Sequence, residues 1–283
     1  MFDLRYHVAS LAAVFIALVI GVLFGVGISG SGALNETERL NLERDIRDLQ
    51  AERDDLRERI QALEAASEYE QETEDAVLEG RLADQRVLLV FVGSVDGAIR
   101  TTVEQMLDDA GGSVTRMRAL RVPIDFVELE DALVDVSDAP SRPEELGRML
   151  AQELLEGGDT PLWDEVAPQL VEERAGGMIG SVDGVVLARS AEPQRGPTAR
   201  FLAGLYNGLA SGGRPAVAVE ASGADESALP VLSRYGFSSV NNVEMPTGRV
   251  SLAVLLSGED AGDFGVDAAD GYVPDVDPVP PAG

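Results

Sequence analysis

VLLVFV, at residues 87–92, is a continuous and partly β-branched apolar run, and Gly93 follows it directly. A run without polar alternation is typical of a strand that is buried on both faces, as in parallel sheets covered by helices. The run therefore predicts a central strand of a layered α/β domain.

Helical and strand patterns alternate downstream of this run. They predict helices at 98–110, 143–156, 161–174, 198–209 and 226–235, and strands at 113–120, 184–188, 215–220 and 249–256. Such alternation is typical of an α/β fold with a largely parallel sheet, which we place at residues 86–257. Residues 258–283 are acidic and rich in glycine and proline, and we expect them to form a disordered tail.

The N-terminal part contains a long apolar run, because residues 8–28 carry no charged side chain. About 18 such residues are enough to cross a bilayer, so the run predicts a transmembrane helix. Arg5 and the free amino group favour a cytoplasmic location for residues 1–7, with the bulk of this single-pass protein outside the cell membrane. A cleaved signal peptide is the alternative. Gly21 and Gly25 form a G-x-x-x-G pair, through which membrane helices can pack.

A heptad pattern follows at residues 34–79. Leucine recurs at the d positions and isoleucine at two a positions, while Arg39 and Arg53 interrupt the a layer. This register is favoured by parallel two-stranded coiled coils, so we expect a stalk that forms a homodimer or higher homo-oligomer. A solitary amphipathic helix that folds back on the domain is the alternative. The candidate oligomerisation residues are Leu42, Ile46, Leu49, Arg53, Leu56, Ile60 and Leu63.

Composition excludes several classes of function. Fifty acidic residues against 22 basic ones give a net charge of −28, which argues against nucleic acid as a partner. There is no cysteine and no lysine, and the one histidine, His7, lies in the N-terminal segment. Cys- or His-based catalysis and Cys- or His-ligated metal sites are therefore excluded from the α/β domain, and we do not expect an enzyme.

The pentapeptide Gly-Ser-Val-Asp-Gly occurs twice, at 93–97 and 180–184. The first copy lies between a predicted strand and a helix, where backbone N–H groups could hold a phosphate. It lacks the fingerprint of a dinucleotide site and the lysine of a phosphate loop. Helix capping explains the first copy and a turn explains the second, so these are the simpler interpretations.

Five methionines lie downstream of the apolar run, and thioether sulfur is a soft ligand that suits Cu(I). They are scattered, without an M-x-M or M-x-x-M cluster, so core packing is the alternative role for each. The metal-site candidates are Met106, Met117, Met149, Met178 and Met245.

Several stretches together resemble the actinobacterial copper transporter MctB family. They are DLRYHVASLAAVFIAL at 3–18, IGVLFG at 20–25, the heptad segment, the strand at 87–92, NVEMPTGRV at 242–250 and DFG at 263–265. The resemblance implies a membrane-associated protein of copper transport or copper homeostasis, with its bulk outside the cytoplasm. It implies copper as the metal but supplies no ligand set.

We therefore expect a membrane-anchored protein that acts in copper handling, as an oligomer or with a partner. Two alternatives stay open. The first is an envelope scaffold, in which the stalk presents the α/β domain to cell-wall or division proteins. The second is a small-ligand binder that uses the strand ends around Ser94, Asp96 and Gly97.

Overall fold

The computed structural model describes residues 14–22, 73–134, 136, 139–224 and 226–275. It also describes the individual positions 44, 46, 47, 49, 50, 52, 53, 56, 57 and 60. The chain divides into two units, Met1–Ala66 and Ser67–Gly283.

The first unit contains a helix over residues 14–22. Within the described ranges, no helix is both long and apolar enough to cross a membrane. The prediction of a transmembrane helix at 8–28 is therefore wrong for the described part, and residues 8–13 and 23–28 lie outside it. Gly21 lies in the helix with open space around its Cα, whereas Gly25 lies outside the described residues.

The described positions between 44 and 60 are helical and exposed. At the a and d positions, Ile46 is 46% exposed, Leu49 64%, Leu56 52% and Ile60 53%. Arg53 is also exposed, while Leu42 and Leu63 lie outside the described residues. These exposures belong to a single chain and do not test pairing between chains, so the predicted coiled-coil stalk is not supported by the structure and the predicted oligomerisation residues stay a prediction.

The second unit is built around a seven-stranded sheet in the order β3-β2-β1-β4-β5-β6-β7. All neighbouring strands are parallel except β2 and β3, which are antiparallel, so the predicted largely parallel α/β sheet is present. The strands are β1 (Arg86–Val92), β2 (Ser113–Leu120), β3 (Val171–Ala175), β4 (Gly184–Arg189), β5 (Ala216–Val219), β6 (Ser238–Val240) and β7 (Asp263–Phe264).

Helices cover both faces of the sheet. They are α1 (Gly97–Asp109), α2 (Phe126–Ala132), α3 (Pro143–Glu156), α4 (Pro161–Leu170), α5 (Gly196–Ala210), α6 (Leu229–Leu232, continued by a 3-10 turn at Ser233–Tyr235) and α7 (Pro246–Ser257). Leu88 and Val90 of β1 join the core cluster under α2 to α6, whereas Leu89 and Phe91 join the cluster under α1 and α7. A strand buried on both faces explains why the run at 87–92 shows no polar alternation.

Helices α3 and α5 cross at very short range because glycines lie at their contact. A Cβ added to Gly147 would overlap the backbone carbonyl of Phe201, and one added to Gly204 would overlap that of Glu144. A Cβ added to Gly208 would lie 2.6 Å from the Cβ of Ala151. The helix pair therefore depends on the absence of side chains at these positions.

Helix and strand are exchanged in two predicted elements. The helix predicted at 161–174 ends at Leu170, and Val171–Ala175 forms the edge strand β3. The strand predicted at 249–256 is wrong, because Pro246–Ser257 forms helix α7, which ends at Gly258 with φ +77°. This helix is buried nearly all round, so its apolar run has no helical periodicity.

The expected disordered tail at 258–283 also differs from the structure over residues 258–275. Asp263 and Phe264 form β7 and extend the sheet beside β6. The Asp263 carboxylate accepts hydrogen bonds from Ser233 (2.8 Å) and Ser239 (2.6 Å). Residues 276–283 lie outside the described part.

Candidate functional site

The carboxyl ends of β1 and β4 lie side by side at the centre of the sheet. From β1 the chain continues to β2 on one side, and from β4 it continues to β5 on the other. Open parallel sheets bind ligands in the crevice at such a reversal of strand order. The loops after Val92 and Arg189 therefore form the expected position of a ligand site.

The loop after β1 is packed tightly against the loop after β4. The backbone N–H groups of Ser190 and Ala191 both donate to the carbonyl of Val92, each at 3.1 Å. A Cβ on Gly93 would lie 2.6 Å from Ser190 Oγ. The Ser190 hydroxyl donates to the carbonyl of Ser94 at 2.7 Å. Glycine is thus required where the two loops touch.

The two Gly-Ser-Val-Asp-Gly copies have structural roles. Asp96 caps helix α1, because its Oδ1 accepts from the N–H groups of Ala98 (2.9 Å) and Ile99 (3.1 Å). In the second copy, Asp183 accepts from the N–H of Arg86 at 2.9 Å and pairs with its guanidinium at 3.3 Å. Capping and turn formation, the simpler interpretations of both copies, match these contacts.

A cleft of about 270 Å³ opens on the other side of β4, between α5 and the α6 region. Arg189 enters it from the last position of β4, and Tyr206 and Tyr235 lie edge to face with ring centroids 5.5 Å apart. Burial raises the pKa of Tyr206, with a smaller opposing effect from Arg189. The phenol therefore stays neutral at physiological pH and can donate a hydrogen bond into the cleft.

A second, smaller crevice of about 190 Å³ lies at the ends of β5 and β6. The carboxylate of Glu220 is buried in its wall and accepts from the N–H of Ala228. Glu244 accepts from the N–H of Ser222 at 3.0 Å and also from its hydroxyl. Both acids are thus occupied in holding the loop after β5.

The segment NVEMPTGRV, which carries the family resemblance, forms the connection from β6 into α7. Asn242 is completely buried; its amide nitrogen donates to Thr247 at 3.3 Å, while its Oδ1 has no hydrogen-bond partner. A Cβ on Gly248 would overlap the carbonyl of Asn242. Arg249 pairs with the buried Glu74. The segment therefore holds β6, α7 and the helix over residues 73–78 together.

Sequence reasoning missed two buried arginines on β2. The guanidinium of Arg116 donates to the carbonyls of Leu154, Gly177 and Gly180, and that of Arg118 donates to the carbonyl of Ala175 at 2.7 Å. Burial lowers the pKa of Arg118 to about 10 and also lowers that of Arg116. In the sequence, Arg116 and Arg118 alternate with apolar residues inside a predicted strand, and this pattern could have indicated that they share one face of the sheet.

Trp163 lies beside the second of these arginines. The guanidinium carbon of Arg118 is 5.6 Å from the centroid of the indole, a cation–π distance. Arg118 Nη2 also lies 3.2 Å from the sulfur of Met178. No described carboxylate forms an ion pair with Arg116 or Arg118, so backbone carbonyls and the ring compensate the two charges.

The structure does not bring the five candidate methionines together. Met106 and Met117 are buried in the core cluster under α1 and α7. Met149 and Met178 pack against the cluster on the opposite face of the sheet. Met245 is 38% exposed at the start of α7, where the Tyr272 hydroxyl lies 3.7 Å from its sulfur. Among the residues that the structure describes, no group of three or more His, Cys, Asp or Glu could hold a metal ion.

Comparison with known proteins relates the whole chain to one family. Residues 1–274 match the family described as "Copper transport outer membrane protein, MctB". The chain is 28% identical over 195 residues to the proteins named "Copper transporter MctB" of Mycobacterium bovis and Mycobacterium tuberculosis. These alignments cover 68% of this chain and 55% of each relative, so the chain spans about half the length of the curated relatives it matches. Because the family match extends over nearly the entire sequence, this protein belongs to the MctB family of copper transport outer membrane proteins.

Proposed function

We propose that this protein takes part in copper transport or copper homeostasis in the cell envelope, outside the cytoplasmic membrane. The observation that carries the proposal is the family match over residues 1–274, together with relatives that are named copper transporters. The absence of cysteine and the separation of the methionines on two faces of the sheet favour transport through an assembly or a partner.

Deletion of the gene in its host tests this function. We expect the deletion strain to become more sensitive to copper and to change its cellular copper content, and we expect the intact gene to reverse both effects. Zinc sensitivity serves as the control, because a general envelope defect would alter tolerance to both metals. Unchanged copper tolerance and copper content in the deletion strain would refute the proposal.

Direct copper binding is a separate step of the same proposal. Calorimetric titration of the full-length protein with Cu(I) measures this binding. The double variant Met106→Leu with Met117→Leu conserves buried apolar volume and removes one pair of soft ligands, while Met149→Leu with Met178→Leu removes the other. If copper acts through an assembly or partner, we expect neither double variant of the isolated chain to alter copper binding.

The proposal includes membrane association and self-association. The family description supports the first, and the exposed apolar side chains at heptad positions support the second. Fractionation of cells should place the protein with membranes. Light scattering should report a mass above that of one chain, and Leu49→Asp with Leu56→Asp should reduce it. Ala51→Asp, at an f position of the same heptad, adds a like charge away from those side chains and should leave the mass unchanged.

An envelope scaffold is the second candidate function, and the same exposed heptad residues favour it. A scaffold presents surfaces to other proteins and does not move copper. In-cell crosslinking from exposed positions such as Ile179, which is 92% exposed, should then recover a reproducible envelope protein. Recovery of no partner, combined with a copper phenotype, would decide in favour of copper handling.

A further inference from the structure

We propose that the cleft between β4, α5 and the α6 region binds a small monocarboxylate with an apolar body. The cleft lies at the carboxyl end of a parallel sheet, next to the reversal of strand order, where such folds place ligands. Its volume of about 270 Å³ is just below the usual range of about 300–1,000 Å³ for ligand pockets, so the occupant is small.

Arg189 supplies the charge that would bind the carboxylate. It is half-buried at the last position of β4, and no carboxylate within the described residues forms an ion pair with it. A guanidinium matches a carboxylate with two parallel hydrogen bonds, which makes arginine suited to this recognition. Its charge is therefore available to a ligand in the cleft.

Tyr206 supplies a second donor. Only 6% of this residue is exposed, and its hydroxyl has no hydrogen bond to any residue that the structure describes. The ring is buried, but the hydroxyl is not among the described buried polar atoms that lack a partner, so it reaches solvent and can donate to a ligand in the cleft. Arg189 and Tyr206 both line this cleft, so the cation and the hydroxyl are available to the same ligand.

The rest of the lining fits an apolar body. Leu202, Ala199, Ala203 and Val231 line the cleft, and the ring of Tyr235 adds an aromatic surface. Glu192 and Glu226 are exposed at its edge, where they would repel a second carboxylate. The site should therefore prefer a monocarboxylate of the size of a single ring. A dicarboxylate should bind more weakly.

Calorimetric titration of the full-length protein with sodium benzoate tests this inference. Benzamide, which has the same shape without the charge, is the matched probe. We expect benzoate to bind with one-to-one stoichiometry and benzamide to bind about tenfold or more weaker, the ratio typical of a charge-assisted hydrogen bond. Equal affinity for the two probes, or no benzoate binding, would overturn the proposal.

Variants locate the site. Arg189→Met should weaken benzoate binding about tenfold or more, and Tyr206→Phe, which keeps the ring, should weaken it several-fold. Arg148→Met removes the same charge from a different surface, near Asn207, and should leave the affinity unchanged. Equal losses in Arg189→Met and Arg148→Met would show an effect of overall charge only and would refute the assignment. Thermal unfolding of each variant verifies its fold.

Discussion

Arg249 of α7 contacts the buried carboxylate of Glu74 through both Nε and Nη2, the latter at 2.6 Å. Glu74 is 5% exposed and lies in the short helix over residues 73–78, which precedes the first strand. The hydrogen bond to Glu74 is the largest cause of the raised pKa of Arg249. This pair therefore joins an early segment of the domain to one of its last helices.

Arg249→Met should destabilise the domain by about 3 kcal/mol, because it leaves a buried carboxylate without its partner. Chemical denaturation measures the free energy of unfolding. The double variant with Glu74→Gln removes the uncompensated charge and should recover part of the loss. If the double variant is less stable than Arg249→Met, charge compensation is not what the arginine contributes.

Gly204→Ala should destabilise the protein by about 2 kcal/mol, because the new methyl group overlaps the carbonyl of Glu144 and forces α3 and α5 apart. Gly97→Ala is the matched control, since a Cβ there meets nothing within 4 Å. That control should leave stability unchanged or raise it by up to about 1 kcal/mol. Equal effects of the two substitutions in thermal unfolding would contradict the close crossing.

Glu153 should make stability depend on pH in an unusual direction. Its carboxylate accepts from the N–H groups of Leu162 (3.1 Å) and Trp163 (2.6 Å), but burial is the larger effect and raises its pKa. The folded state then holds the proton to higher pH than the unfolded state, whose pKa is the lower one. The contribution of Glu153 to stability is therefore present below the unfolded pKa and decreases as pH rises through the folded one.

The difference in unfolding free energy between the wild type and Glu153→Gln isolates this titration from the other acids. As pH rises from about 4, near the reference pKa of glutamate, the wild type should lose stability relative to the variant. Denaturation at a series of pH values gives the curve. A relative gain for the wild type over this window would mean that the two hydrogen bonds outweigh burial.

Arg116→Met should cost about 2 kcal/mol, because the carbonyls of Leu154, Gly177 and Gly180 lose a buried donor. Arg118→Met should cost less. Its Nε already lacks a partner, and its bonds to the carbonyl of Gly176 are long, at 3.3 and 3.4 Å. Urea denaturation of the two variants in parallel tests the order. A greater loss for Arg118→Met would give the contact with Trp163 the larger role.

The sequence predicts the central strands well because burial on both faces leaves a continuous apolar run. It predicts the helix at Pro143–Glu156 for the complementary reason, since one face of that helix is polar. The same rule fails at α7: nearly all its residues are buried, so no stripe distinguishes it from a strand. It fails again at β7, a two-residue strand that pairs with β6 and is held by hydrogen bonds from Ser233 and Ser239 to Asp263.

The candidate cleft could not be predicted from the sequence. Arg189 ends a strand, Tyr206 lies inside the next helix and Tyr235 ends a 3-10 turn, so only the fold brings them together. By contrast, Asp96 could be interpreted correctly, because a cap acts on residues that directly follow it. Local hydrogen bonds leave a local signal, whereas a cleft formed by several elements leaves none.

The two arginines buried in β2 place positive charge inside a strongly acidic protein. The chain carries a net charge of −28, yet the side chains of Arg116 and Arg118 lie in the interior with no described carboxylate paired to them. Dissolved salt screens the mutual repulsion of exposed acids far more than it screens buried charges. Arg116 and Arg118 attract the exposed acids and so offset part of the repulsion among them. This stabilising effect should be most important in dilute buffer, where the repulsion among the exposed acids is least screened.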